Sequence, residues 1–590
     1  MAQASKSASS YPERKKAAMY AKTDVWQGRV ARLLVILLMC VQPIFFSTER
    51  YIRLTLHKYQ FFCISMIAVL LFALVIWVYR LTRKPRLLLQ EQFTLADWAV
   101  LGFAIVTILS ALLSPFKDVA SVWVGKPEPE GRYDGAITQL LYVAVFFVVA
   151  RWYRPRVRDF AVFGVSAALI GLIGILQFYG MDFLKLWPNH IDAYHVDNFY
   201  RIFFRSTLGN VDIVSTYVCV AILLCGFLFV RMKSRWQPLW IAASALNFWL
   251  MDLAGADSGR IGVLAAMVLA LPFIVENRKV FGRTLLLGAS WIAVYTLQNL
   301  LYDVRVVKAR TFSSLLPYIV ALAALLIIGL VLLYVVGRGE KGGRRGAGSS
   351  GRRGVRGGHS GVYRSNSGYR RKTVGANGSF SNATEPGETK SDYPGSEADA
   401  PSRWLLGVIL IGLCIVIGIV GIEVIGRRAA ASDRPSGIIY EIREVMHGNM
   451  QDTFGSYRGH IWKNAIRAYP NYPLIGSGPD TFYHAFPPEA HLVYGGVNYD
   501  KAHNEYLQIL ICQGLLGLLC YLLFLVTASL KAIPKAFRNP LVMAVLAAFI
   551  GYCVQAFFNI SLPIASQMMW IFVGMLANKR FRNATLREIT

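Results

Sequence analysis

Charge is missing from the middle of every long apolar run in this chain: Asp97, Asp212, Asp252 and Glu423 all stand at run ends. Ion-coupled carriers and proton pumps usually need ionisable groups at membrane depth. Their lack weakens a transport mechanism and moves attention to the membrane surface. A cysteine framework is lacking too. Cys40, Cys63, Cys219, Cys225, Cys414, Cys512, Cys520 and Cys553 all fall inside apolar runs. There they read as small packing residues, with neither a disulfide network nor a metal site indicated. The spacing His-x-x-x-His-x-x-Glu is not present, and no outward carboxylate cluster is of metal-site type. No metal and no cofactor is therefore expected. Acidic residues are scarce, 34 Asp and Glu against 62 Lys and Arg, for a net charge of +28. That excess invites a nucleic-acid reading. The basic residues sit mainly in short loops and in one segment, where membrane topology explains them, so no nucleic-acid partner is expected. No cleavable signal sequence is expected either: residues 1–29 are polar, basic and too long for an n-region, and no Ala-x-Ala site follows the first run.

What is present is hydrophobic length. The chain has 590 residues, 55% of them hydrophobic, and a mean hydropathy of +0.43. Such composition marks a polytopic membrane protein. Apolar runs lie near 33–47, 61–79, 96–114, 136–150, 159–177, 211–230, 238–251, 261–275, 284–301, 314–336, 404–425, 506–527, 541–558 and 562–577. Backbone groups in lipid need internal partners, so each run predicts a helix. Most are long enough for a hydrocarbon core of ~30 Å. The expected fold is an all-α polytopic membrane protein of about fourteen transmembrane helices with a large outward loop domain.

Loop charge sets the sides. Arg80 and Arg83 follow the second run, Arg151 and Arg154 the fourth, and Arg231 and Lys233 the sixth; Arg278 and Lys279 follow the eighth, Lys531 and Lys535 the twelfth, and Lys579 and Arg580 the last. Short Lys/Arg-rich loops stay cytoplasmic, so both termini are expected inside. The domain reading is a cytoplasmic tail over 1–30, helices over 31–336, a linker over 337–403, a helix over 404–425, an outward loop domain over 426–505, helices over 506–577 and a tail over 578–590. The linker, rich in Gly, Ser and Arg, lacks the apolar content to offset ordering entropy and is expected to be disordered. Its first half could touch anionic lipid. The outward segment instead mixes aromatics with turn signals at Asn471-Tyr-Pro, Gly476-Ser-Gly-Pro and Gly495-Gly, as a folded domain does. Within it, Ile461, Trp462, Ala465 and Ile466 have the spacing of an amphipathic helix.

Four outward arginines stand out because the charge rule predicts few. Arg132 lies in Gly131-Arg-Tyr-Asp-Gly135, Arg205 in Phe204-Arg-Ser-Thr-Leu-Gly-Asn210, Arg260 in Asp257-Ser-Gly-Arg260 and Arg458 in Ser456-Tyr-Arg-Gly-His460. A guanidinium fork suits phosphate oxygens bidentately and stays charged when partly desolvated. Interfacial snorkelling is the plainer account of any single one, and the diphosphate reading gains ground only for the four taken together. His503, in Ala502-His-Asn-Glu-Tyr506, offers an imidazole that exchanges a proton near neutrality, as a general base for a hydroxyl would. A packing or capping histidine at a helix start is the plainer alternative. His190, His195, His460, His484 and His491 show no metal-ligand spacing.

Arg458-Gly-His-Ile-Trp-Lys-Asn-Ala, Pro473-Leu-Ile-Gly-Ser-Gly-Pro-Asp-Thr-Phe482 and His503-Asn-Glu-Tyr-Leu, with Gly514 and Gly517, together resemble the O-antigen ligase and polymerase family. Ser206-Thr-Leu-Gly-Asn210 and Ser258-Gly-Arg260 resemble that family's two earlier outward signatures. The resemblance implies a GT-C-like helical glycosyltransferase, metal-independent and inverting, in a bacterial cytoplasmic membrane. It would move a glycan from an undecaprenyl-diphosphate carrier to a glycan, lipid or protein acceptor, among membrane lipids. It further implies that Arg205 and Arg260 hold the diphosphate and His503 activates the acceptor, with Arg132, Asn210, Ser258, Arg458 and Asn504 in support. The family often has an Asn-Pro-Asn-like element where this chain reads Asn210-Val-Asp212. A flippase and a peptidoglycan-type polymerase, the latter using a carboxylate such as Asp134 or Asp480, are the competing readings.

Overall fold

Caps written into the sequence decide where apolar runs become separate helices. The computed structural model describes residues 11–83, 93–118, 121–125, 132–187, 204–302, 320, 323–331, 400–431, 437–491, 493, 498–585 and 588. Most of the linker expected over 337–403, and His190 and His195, lie outside the described residues. In chain order the principal helices are α1 (Tyr11–Ile36), α2 (Leu54–Arg83), α3 (Leu95–Leu112), α4 (Ala136–Trp152), α5 (Val157–Phe178), α6 (Val211–Arg231), α7 (Gln237–Leu253), α8 (Asp257–Leu269) and α9 (Arg278–Tyr302). Then come α10 (Ala400–Ala430), α11 (Ile438–Met446), α12 (Phe454–Ala468), α13 (Glu505–Cys512), α14 (Gly514–Ala536), α15 (Pro540–Gln555) and α16 (Gln567–Ala577). Among the described residues, eight helical stretches are long and apolar enough to cross a membrane. The chain is an all-α polytopic membrane protein.

The centre of the bundle is α6. Of its most apolar stretch, 94% is buried, and α5, α7, α8, α9 and α15 pack around it. Its start is fixed by Asn210, whose Oδ1 accepts from the Asp212 N–H at 2.8 Å, so one orphan donor of the first turn is satisfied. Just before it, β1 (Phe204–Arg205) pairs antiparallel with β2 (Gly209–Asn210), Phe204 opposite Asn210. Gly209 opens β2 at φ 83, a conformation that glycine adopts without a Cβ penalty. By contrast α10 lies at the edge, with only 6% of its apolar stretch buried, a surface suited to lipid.

The segment between α10 and α13 builds a core of its own. Ile461, Ala465, Phe482, Phe486, Tyr499 and Ala502 pack with Leu507, Ile511 and Cys512 of α13. The expected amphipathic helix is present as α12, but its apolar face differs from the one anticipated. Ile466 is 61% exposed, while His460 and Asn464 turn inward beside Ile461. His460 packs there through its Nε2, 2.9 Å from the Ala490 carbonyl.

A single helix was expected over 506–527; the chain instead divides it at Gln513–Gly514. Gly514 has φ 71, and a Cβ there would strike the backbone of Leu474 and Ile475. The turn at 473–478 fills the break. Leu515 and Leu516 donate to the Pro473 and Leu474 carbonyls at 2.9 and 3.1 Å, while Ser477 and Gly478 donate to Ile511 and Cys512 at 2.9 and 3.0 Å. Helix ends buried this deeply require such partners.

Candidate functional site

The segment 498–504 enters α13 without regular structure, and His503 occupies it at φ 48. Asn504 caps α13, its Oδ1 accepting from the Leu507 N–H at 3.0 Å. The His503 ring remains partly open and brings its Nδ1 within 3.5 Å of Asp212 Oδ2 on α6. Arg458, near the start of α12, reaches the other oxygen of the same carboxylate at 3.6 Å. It also donates to the Gly455 carbonyl at 2.7 Å. Three distant parts of the sequence thus place a histidine, a carboxylate and a guanidinium together. The carboxylate can align an imidazole and stabilise its protonated form, while the guanidinium offers donors to an anion.

Arg132 stands close behind. Its Nε lies 2.6 Å from Asp500 Oδ2 and its Nη2 3.3 Å from Oδ1, a fork-to-fork pair three residues ahead of His503. The other two arginines make contacts of their own. Arg205 is buried in β1, donates to the Phe204 carbonyl at 2.9 Å and lies over the Phe178 ring. Arg260 is 41% exposed on α8 and bridges Asp252 and Asp257, each at 2.6 Å. Any phosphate that takes this guanidinium must compete with two carboxylates. Ser258 Oγ sits 2.7 Å from Ser215 Oγ and the Gly259 N–H donates to the same Ser215 oxygen. The Ser-Gly-Arg turn is therefore docked on α6 one turn beyond Asp212.

Beneath His503 lies a charge cluster that the sequence reading did not assemble. Lys501 Nζ stands 2.7 Å from Asp134 Oδ2 and 2.9 Å from Asp480 Oδ1, with all three side chains buried. Burial works against the Lys501 ammonium, but the two carboxylates outweigh it and hold the lysine above its ordinary range. One ammonium is divided between two acids. Burial, opposed by Lys501 and reinforced by Asp480, lifts Asp134 to about 7. Glu505 is buried alongside, accepting from the Tyr521 and Tyr552 hydroxyls at 2.6 and 3.0 Å. Burial raises this carboxyl also, against those hydrogen bonds and Lys501. A cavity of about 20 Å³, water-sized, touches Asp134, Asp480 and Glu505.

The sequence singled out His503, Arg458 and Arg132 separately. It left Asp212 without a role and did not single out Lys501, because no local spacing announces a partner hundreds of residues away. Asp134 and Asp480 appeared only as competitors for a catalytic carboxylate.

Fold and site define an integral membrane protein that gathers a His–Asp–Arg constellation where the segment after α10 meets its helices. Comparison with known families adds one finding: the O-Antigen ligase model matches residues 394–522. The chain carries an O-antigen ligase domain over that stretch, which takes in Arg458, the 473–482 turn and His503. The match supports the resemblance read from these three motifs and, in general terms, a function of the O-antigen ligase or polymerase type. No curated protein matches the chain.

Proposed function

We propose that the protein is a metal-independent, inverting glycosyltransferase on the outer face of a bacterial cytoplasmic membrane. It transfers a glycan from an undecaprenyl-diphosphate carrier to an acceptor hydroxyl, as a ligase or polymerase of cell-surface polysaccharide. The observation that carries this reading is the meeting of His503, Asp212 and Arg458 inside and beside the O-antigen ligase stretch. In the reaction His503 accepts the hydroxyl proton as the acceptor oxygen bonds to the anomeric carbon. The carbon–oxygen bond to the diphosphate breaks with inversion, and undecaprenyl diphosphate leaves with the electron pair. Asp212 steadies the imidazolium, while Arg205 and Arg260 neutralise the departing charge. A diphosphate is already a good leaving group, so orientation and charge neutralisation suffice without a divalent ion.

The architecture proposed with it is a GT-C-like bundle of about fourteen spans, both termini inside, with 426–505 as an outward domain and 337–403 as a cytoplasmic linker. Two observations favour this reading over its competitors. Asp134, Asp480 and Glu505 are all buried and engaged internally, which suits structural carboxylates better than a peptidoglycan polymerase's exposed one. The centre of the bundle is filled by α6, whereas a flippase would want a hydrated cavity. The test is transfer of radiolabelled glycan in proteoliposomes from a defined undecaprenyl-diphosphate donor. Labelled glycan on a new acceptor supports the proposal; label that only crosses the bilayer on its carrier sinks it in favour of a flippase, and label incorporated only from a peptidoglycan precursor sinks it in favour of the polymerase.

A further inference from the structure

His503 holds a left-handed backbone conformation, φ 48, which a non-glycine residue keeps only where its surroundings over-determine it. Those surroundings are specific. Asp500 is forked by Arg132. The Ala502 N–H donates to Gln508 Oε1 at 2.9 Å, and the Ala502 carbonyl accepts from Trp462 Nε1 at 3.0 Å. Asn504 is committed to capping α13. Between them, Lys501 is 1% exposed and cannot turn outward without abandoning two carboxylates. These come from remote segments: Asp134 immediately precedes the Gly135 cap of α4, and Asp480 sits at φ 58 just after the turn that fills the break between α13 and α14.

We propose that Lys501, locked between Asp134 and Asp480, is the positioning residue that aims His503 at Asp212. The proposal deepens the catalytic reading of His503 and rests on it. A side chain anchored inward at 501 fixes the chain direction through 502, and the residue after it is delivered toward the start of α6. The lock also ties the loop before α4 and the 476–480 turn to the reacting group, so those segments act on the reaction without touching substrate. Small misplacements of a base are expensive in rate and cheap in binding, so the signature is a kcat effect with KM spared.

The test uses two variants of the full chain in proteoliposomes. Lys501→Met combined with Asp134→Asn and Asp480→Asn removes the lock without leaving an unpaired buried carboxylate. Asp480→Asn alone leaves Lys501 one carboxylate and guards against loss of folding in the triple variant. Each is measured for glycan transfer per folded molecule, for donor KM, and for the rate at which diethyl pyrocarbonate modifies His503, read by mass spectrometry. The expected result is a kcat lowered by about 10- to 100-fold in the triple variant, a smaller drop in Asp480→Asn, an unchanged donor KM, and an altered His503 modification rate in both. An unchanged modification rate in folded protein overturns the proposal, whatever happens to activity, because a merely structural lock leaves the imidazole where it was. If the wild-type protein transfers no glycan, the catalytic reading fails separately, and the modification rates alone still decide whether Lys501 positions His503.

Discussion

Arg260 shows how much a single guanidinium is asked to do. Its two nitrogens already hold Asp252 and Asp257 on opposite sides, a geometry that an ammonium cannot reproduce. Arg260→Lys is expected to lower transfer by roughly tenfold or more with folded yield unchanged, because exposed ion pairs contribute little to stability. Equal activity of Lys and Arg at both 205 and 260 would leave interfacial anchoring as their role. Asp134 makes a different prediction. Its folded-state value near 7 stands above the ordinary carboxylate value of ~3.9. Between about pH 4 and 7 the folded protein keeps a proton that the unfolded chain has lost, so this group's contribution to stability falls as pH rises through that window. Asp134→Asn should match the wild type in Tm near pH 4 and become relatively more stable by pH 8. The opposite trend would mean that Lys501 holds Asp134 below the usual range.

The break between α13 and α14 carries the most at the level of elements, because it seats the 473–478 turn under the site. Gly514→Ala adds a Cβ at φ 71 against the backbone of a neighbouring loop. A loss of at least ~1 kcal/mol is expected, together with reduced transfer. Gly412→Ala, where nothing lies within 4 Å, should leave both near wild type, and equal behaviour of the two variants would remove the break from the account. Sequence legibility divides along the same line. The run that became α6 was readable because its capping Asn and apolar length are both local. The division at Gln513–Gly514 was not, since its partners come from a separate loop. Lys58, just ahead of the second run, was not legible for a similar reason: it lies fully buried in α2 and donates to the Pro43 carbonyl at 2.8 Å. The arginines were visible as exceptions to a charge rule, whereas Asp212 and Lys501 acquire meaning only through contacts that folding makes.

For the whole molecule, sidedness governs every chemical step proposed. Asn471 in the outward segment and Arg538 after α14 are both exposed. Cysteines placed at these positions should label from opposite faces of intact cells, Asn471→Cys reacting with an impermeant maleimide and Arg538→Cys only after permeabilisation. Reaction of both in intact cells would overturn the orientation and the outer-face chemistry with it. The central claim is that this assembly delivers His503 as the base of a glycan transfer. The most direct measurement is transfer by His503→Ala per folded molecule, alongside donor affinity. The account predicts a turnover lower by about 10²–10⁴-fold, with donor affinity nearly intact because the arginines still hold the diphosphate. A His503→Ala protein that is less abundant but fully active per molecule would contradict it.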